Sequence, residues 1–155
     1  FLKLEQVQGA KTLLLYVGVK SEAQTLNLIE QLLKMGKTVA VPVTDFEKHD
    51  IKPVQITSTS SLKEGKAGLL EPKAIRAVET KAIDLIVVPG IAFDREGRRI
   101  GSGFGFYDKL LRKVSCKVPL VGFCFQENLV EMLPAESHDI KMDMVITDKE
   151  LIRTG

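Results

Sequence analysis

The chain has 155 residues, 45% of them hydrophobic and 27% charged, with 22 basic against 20 acidic side chains. That is one domain's worth of chain, too apolar to be disordered or of low complexity and, at a net charge of +2, too nearly neutral to mark a nucleic-acid binder. Cys116 and Cys124 are too few for a disulfide framework or a zinc cage, and no apolar run approaches the ~18 residues of a membrane helix. A monomeric cytoplasmic protein with free thiols, no membrane partner and no signal peptide is expected.

Thr12 to Val19 (TLLLYVGV) is a continuous apolar run, the pattern of a strand buried on both faces. Ser21 reads as the N-cap of a following helix, with Gln24 as its capping-box partner. Leu26, Ile29, Leu32 and Leu33 recur at helical spacing, and Gly36 falls where a helix terminates. Thr38 to Val43 is the next strand, with Pro42 at its end or on an edge. Asp45 to Asp50 reads as a polar loop, and Val54 to Thr57 as a short strand.

Pro72 opens an expected helix running to Glu79, with Ile75 and Val78 inward. Leu85 to Val88 is another buried strand, followed by a long connection, Gly90 to Gly105. An amphipathic helix is expected near Phe106 to Lys113, a strand at Leu120 to Phe125, and a short helix from Glu127 to Leu133. Met144 to Thr147 is the last strand, and Asp148 caps a final turn. Apolar strands alternating with helices predict an α/β fold: a single domain, residues 1 to 155, with a mostly parallel sheet and helices on both faces.

Ligands of such sheets sit in the loops at the carboxyl ends of strands. The longest such loop is PGIAFDREGRRIGSGFG, Pro89 to Gly105, and it ends in glycine at alternate positions just before a helix. Backbone N–H groups left open by glycine, together with a helix N-terminus, suit a phosphate. The charge agrees: residues 94 to 113 carry six basic and three acidic side chains, leaving 16 basic against 17 acidic elsewhere. The loop is neither a Walker A sequence nor a GxGxxG fingerprint, so a solvated surface loop is the competing reading. Asp108, in the first turn of the following helix, suits either the helix dipole or a magnesium ion. His138, beside Asp139, reads as a solvated histidine. The two cysteines read as space-filling, since neither has a local base. Phe104, Phe106 and Tyr107 suit helix packing or stacking on a flat ring.

The run VVPGIAFDREGRRIGSGFGFYDKLL, Val87 to Leu111, resembles the signature of 5-formyltetrahydrofolate cyclo-ligases, approximately PG-x-AFD-x-x-G-x-R-L-G-x-G-x-GYYD. Glu22 and Thr25 before GKTVAVP, the Gly68 to Pro72 step, and LP, HD, MD and VIT near the end follow in the family's order. The resemblance implies an ATP- and Mg²⁺-dependent closure of 5-formyltetrahydrofolate to 5,10-methenyltetrahydrofolate, with ATP and a reduced folate as partners. It further implies that Arg99, Ile100, Gly101, Ser102, Gly103, Phe104, Gly105, Phe106 and Tyr107 hold ATP. Arg99, Tyr107 and Asp108 would be catalytic, and Val17, Glu22, Phe106 and Tyr107 would contact the folate. Asp108 and Asp139 would bind the magnesium. Three residues depart from the family's pattern: Phe104 where Gly or Lys is usual, Phe106 in place of a tyrosine, and Asn128 in place of a glutamine. Family members begin with a basic helix that reaches the nucleotide, and only FLKLEQVQGAK precedes the first strand, so the resemblance implies that this helix is missing here. Two other functions stay open: a non-catalytic nucleotide- or pterin-binding relative, and a phosphate-loop enzyme acting on another reduced pterin.

Overall fold

The computed structural model describes every residue except Lys20, Ser21, Lys66, Ala67, Ala74, Ile75, His138 and Gly155. The expected cap at Ser21, the inward Ile75 and the solvated His138 therefore lie outside the described residues. A seven-stranded sheet organises the rest. Its parallel strands are β1 (Thr12–Leu15), β2 (Thr38–Asp45), β6 (Leu85–Val88), β9 (Leu120–Phe123) and β11 (Met144–Ile146). Antiparallel β3 (Asp50–Ile56) and β12 (Leu151–Arg153) form its two edges, giving the order β12-β11-β9-β6-β1-β2-β3. Two small sheets complete the fold. One pairs β4 (Leu62–Glu64) with β5 (Leu70–Pro72). In the other, β7 (Ala92–Asp94) lies between β8 (Arg99–Ile100) and β10 (Leu129–Val130).

Burial on both faces explains why the inner strands are apolar throughout: all four residues of β6 are buried, as are Leu13, Leu14 and Leu15 of β1. One face, with Leu13, Leu15 and Val87, is covered by α1 (Glu5–Gly9) through Val7 and by α2 (Leu26–Lys34) through Ile29 and Leu32. The other, with Leu14, Ile86 and Val88, is covered by α3 (Phe106–Arg112) through Leu110 and Leu111, and by Phe93 of β7. Helix α2 ends as expected at Gly36, whose φ of +80° lets its N–H reach Leu33 while the N–H of Lys37 reaches Leu32. Among the described residues no helix is long and apolar enough to cross a membrane.

Several expected elements are corrected. Helix α2 starts at Leu26, and Gln24 bonds the carbonyl of Glu22 rather than acting in a capping box. Fully buried Thr25 precedes it, donating its hydroxyl to the Tyr16 carbonyl and accepting the N–H of Gly18. The expected Pro72 to Glu79 helix is absent among its described residues. Pro72 belongs to β5, and Arg76 to Val78 run extended along β3, with the Arg76 carbonyl accepting from Gln55 and the Val78 N–H donating to Pro53. An open strand edge needs such partners, and local spacing does not reveal it. The expected Glu127 to Leu133 helix is instead a 3₁₀ turn, Gln126–Asn128, followed by β10, which pairs with the free edge of β7. The long connection after β6 contains the β7–β8 hairpin. Pro42 lies inside β2 opposite Pro53, an arrangement that confines both missing N–H groups to one rung. Asp148 precedes a strand, and its carboxylate accepts the Gln126 N–H.

Candidate functional site

Strand order reverses between β1 and β6, because the chain leaves β1 towards β2 on one side and later returns to β6 on the other. At such a reversal the flanking loops diverge and leave a crevice at the carboxyl ends of the strands. A cavity of about 810 Å³ occupies that position, with Tyr16 and Val17 after β1 on one wall and Pro89 and Gly90 after β6 on another. The run Arg99 to Asp108 lines it, as do Glu22, the β2–β3 hairpin at Thr44 and Phe46, and the Glu127–Asn128 turn after β9. Every residue expected to touch a substrate thus faces one cavity. Asp139 is not among the lining residues; it is exposed, and its Oδ2 accepts the Glu136 N–H at 2.8 Å.

The β7–β8 hairpin delivers Arg99. Asp94, fully buried, organises its turn by accepting the N–H groups of Glu96, Arg98 and Leu133 and pairing with the Arg98 guanidinium at 3.2 Å. Burial pushes the Asp94 carboxyl up, but those N–H donors and the guanidinium outweigh it and hold it below the usual range. Phe93 then anchors the hairpin between two glycines: a Cβ at Gly90 would meet its ring at 2.8 Å, and one at Gly122 would collide with it. The Arg99 side chain is only 6% exposed, donating to the Pro89 carbonyl at 3.1 Å and to Asp108 Oδ1 at 2.9 Å.

Arg99 is the sole basic residue among the described lining residues, whereas Glu22, Asp108 and Glu127 bring three carboxylates. The local excess of positive charge in the sequence is otherwise engaged. Arg95 pairs with Glu150, Arg98 with Asp94 and Glu96, and Lys113 with Asp50; Lys109 bonds the carbonyls of Lys48 and His49. Arg112 lines a separate, smaller cavity. Counting charges along the chain overstated the field inside the site.

At the inner end, Glu22 accepts the Val19 N–H at 3.0 Å, and burial holds its carboxyl above the ordinary range. Tyr16 donates to the Ala23 carbonyl at 2.7 Å, tying down the segment that carries Glu22. The Tyr107 hydroxyl is buried and has no hydrogen-bond partner among the described residues. Burial and the charge of Glu22 raise its pKa while Arg99 opposes them, so this donor lies within the fields of both groups. An unmet buried hydroxyl in a cavity wall calls for a ligand acceptor. Burial also pushes the Cys124 thiol up to about 11, consistent with a space-filling thiol.

The Asp108 side chain is 58% exposed, with one oxygen on Arg99. No group of three metal-ligating side chains occurs among the described residues. Mg²⁺ commonly uses one or two carboxylates, substrate phosphates and water, so Asp108 fits that mode. Phe46, Thr44, His49 and Glu127 were not singled out in the sequence. Thr44 lies near the carboxyl end of β2, while Phe46 and Glu127 follow β2 and β9, and that position was the available signal.

The family model for the 5-formyltetrahydrofolate cyclo-ligase family matches residues 1–148. The 5-formyltetrahydrofolate cyclo-ligase of Escherichia coli K12 is 34% identical over 146 residues, covering 92% of this chain and 80% of that protein. That of Mycolicibacterium smegmatis is 33% identical, covering 91% and 75%. The NMR structure of Aquifex aeolicus 5,10-methenyltetrahydrofolate synthetase superimposes with a TM-score of 0.84 at 33% identity, covering 99% of this chain and 76% of that one. Matched by that family model over residues 1–148 and sharing its fold with that synthetase, the chain belongs to the 5-formyltetrahydrofolate cyclo-ligase family.

Proposed function

We propose that the cavity between β1 and β6 is where this enzyme, a 5-formyltetrahydrofolate cyclo-ligase, joins an ATP phosphate to its folate and closes the ring. The observation that carries the reading is the unpartnered Tyr107 hydroxyl within the fields of both Glu22 and Arg99. The formyl oxygen attacks the γ-phosphorus, an O–P bond forms, and the bond to the β-phosphate breaks with its electron pair leaving on ADP. N10 then attacks the formyl carbon and loses its proton. The C–O bond to phosphate breaks, giving 5,10-methenyltetrahydrofolate and inorganic phosphate. Oxide is a poor leaving group and phosphate a good one, which is why the first step is needed.

Glu22 accepts the pterin N–H groups, and Val17 packs on the pterin. Arg99 binds the transferred phosphoryl oxygens, with main-chain N–H groups from Ile100 to Tyr107 around the phosphates. Tyr107 stays protonated and donates to an oxygen at the reacting centre. Phosphoryl transfer asks of a protein mainly such positioning and charge neutralisation. Mg²⁺, held by Asp108 and the phosphates, would neutralise charge on the β- and γ-phosphate oxygens; Asp139, outside the cavity lining, is left to a secondary role. Free Cys116 and Cys124 support a cytoplasmic location, and we take the monomer as the working unit.

The test is the absorbance of 5,10-methenyltetrahydrofolate formed from 5-formyltetrahydrofolate. It should rise only with ATP and fall at least about a hundredfold in rate with Asp108→Asn. Nucleotide binding without product would favour a non-catalytic relative, and phosphate release only with another acceptor would favour a different pterin.

A further inference from the structure

We propose that Phe104 is a specificity-determining residue of this chain, its exposed ring stacking on the aminobenzoyl ring of the bound folate. The inference rests on the proposed function, because it takes the folate to lie in the same cavity as the glycine turn.

Phe104 lines the cavity and is 61% exposed, the most exposed phenylalanine among the large apolar side chains of the described residues. It stands between Gly103 and Gly105, whose φ angles of +95° and +70° place the turn in a conformation that favours glycine. The ring is not alone. His49, Phe106 and Phe104 form a ladder of tilted rings, with centroid spacings of 4.4 and 5.9 Å and interplanar angles of 31° and 28°. Phe46 braces the middle ring edge-on at 5.6 Å. His49 itself is held by a left-handed backbone, φ +53°, and by the Lys109 ammonium donating to its carbonyl. Phe106 is therefore fixed on two sides, and Phe104 prolongs the ladder into the cavity with no further ring beyond it among the described residues.

The next member of such a ladder is a flat aromatic ring. In the folate, the aminobenzoyl ring is bonded directly to N10, the atom that attacks the formyl carbon. That ring therefore lies one bond from a reaction centre served by Arg99 and Tyr107, both within five residues of Phe104 on the same turn. The adenine of ATP is separated from the transferred phosphorus by two phosphates and a ribose. Phe104 offers an apolar face beside the glycine turn, which favours the uncharged aryl ring over phosphate as its partner.

The experiment compares 5-formyltetrahydrofolate with 5-formyltetrahydropterin, which lacks the aminobenzoyl arm, in equilibrium binding without ATP. Phe104→Ala should weaken the full folate about tenfold and leave the truncated pterin within about twofold. Phe104→Tyr should restore folate affinity, whereas Phe104→Leu, which keeps bulk but not the ring, should not. Phe104→Trp gives a chain that otherwise lacks tryptophan a single fluorophore. Its emission should change on adding the full folate and not on adding the truncated pterin. Equal losses for both pterins, a loss confined to ATP, or emission that answers to nucleotide alone would overturn the stacking. These readouts do not need turnover, so their failure is separable from failure of the proposed activity, which a wild-type protein binding folate without forming product would reveal.

Discussion

Arg99 is the one basic side chain among the described residues that line the cavity. Replacing it with alanine removes charge-assisted hydrogen bonds worth about 1.5–3 kcal/mol. Arg99→Ala should therefore raise the KM for ATP roughly 10- to 100-fold while folate binding changes less than threefold; equal losses for both ligands would remove Arg99 from the phosphate. Glu22 offers a test of the opposite wall. Its carboxyl is raised in the folded protein, chiefly by burial, so the stability tied to it is complete at acid pH and lost as pH rises through the raised pKa. Glu22→Gln cannot ionise. Denaturant titrations should show the variant gaining on wild type between pH 4 and pH 7, although it binds folate at least about tenfold more weakly. A gap between the two proteins that stays constant with pH would deny the raised carboxyl.

The hairpin of β7 and β8 is the element that turns the glycine-rich connection into a site. Its turn depends on Asp94, and removing that carboxylate leaves the N–H groups of Glu96, Arg98 and Leu133 without their acceptor and the Arg98 guanidinium with Glu96 alone. Asp94→Ala should destabilise the protein by about 3–5 kcal/mol in urea denaturation. Because the Asp94 carboxyl is depressed, its contribution is present above the ordinary carboxylate range and lost as pH falls through the lowered value, so the deficit should shrink in acid. A deficit below 1 kcal/mol would mean the turn holds without it. The same scale shows what a sequence reader sees and what is hidden. Leu85 to Val88 and the Ile29 and Leu32 stripe announce themselves because their burial follows backbone periodicity. Arg76 to Val78 and Leu129 to Val130 do not, since each is extended by a strand edge far away in the chain: β3 for the first, β7 for the second. Within the site, Arg99 to Asp108 is readable as one contiguous turn. His49 and Glu127 reach the same region only through the hairpin and the sheet, and the partners that engage Arg95 and Lys113 are equally remote in sequence.

Across the whole molecule, the reversal of strand order sets the cavity's place, and the loops around it set its electrical character. The family resemblance implies that Asp108 and Asp139 share the magnesium, and of the two only Asp108 belongs to the cavity lining. Titrating Mg²⁺ against the ATP-dependent rate should show Asp108→Asn needing at least about tenfold more cation and Asp139→Asn less than twofold more; equal shifts would bring Asp139 into the metal's shell. Among the described lining residues one guanidinium faces three carboxylates. A bare nucleoside triphosphate, a tetraanion, would meet a wall of its own sign, whereas the complexed nucleotide arrives with half that charge cancelled. Chelating the cation should therefore abolish nucleotide occupancy itself and not merely turnover, which equilibrium binding of nucleotide with and without a chelator would check.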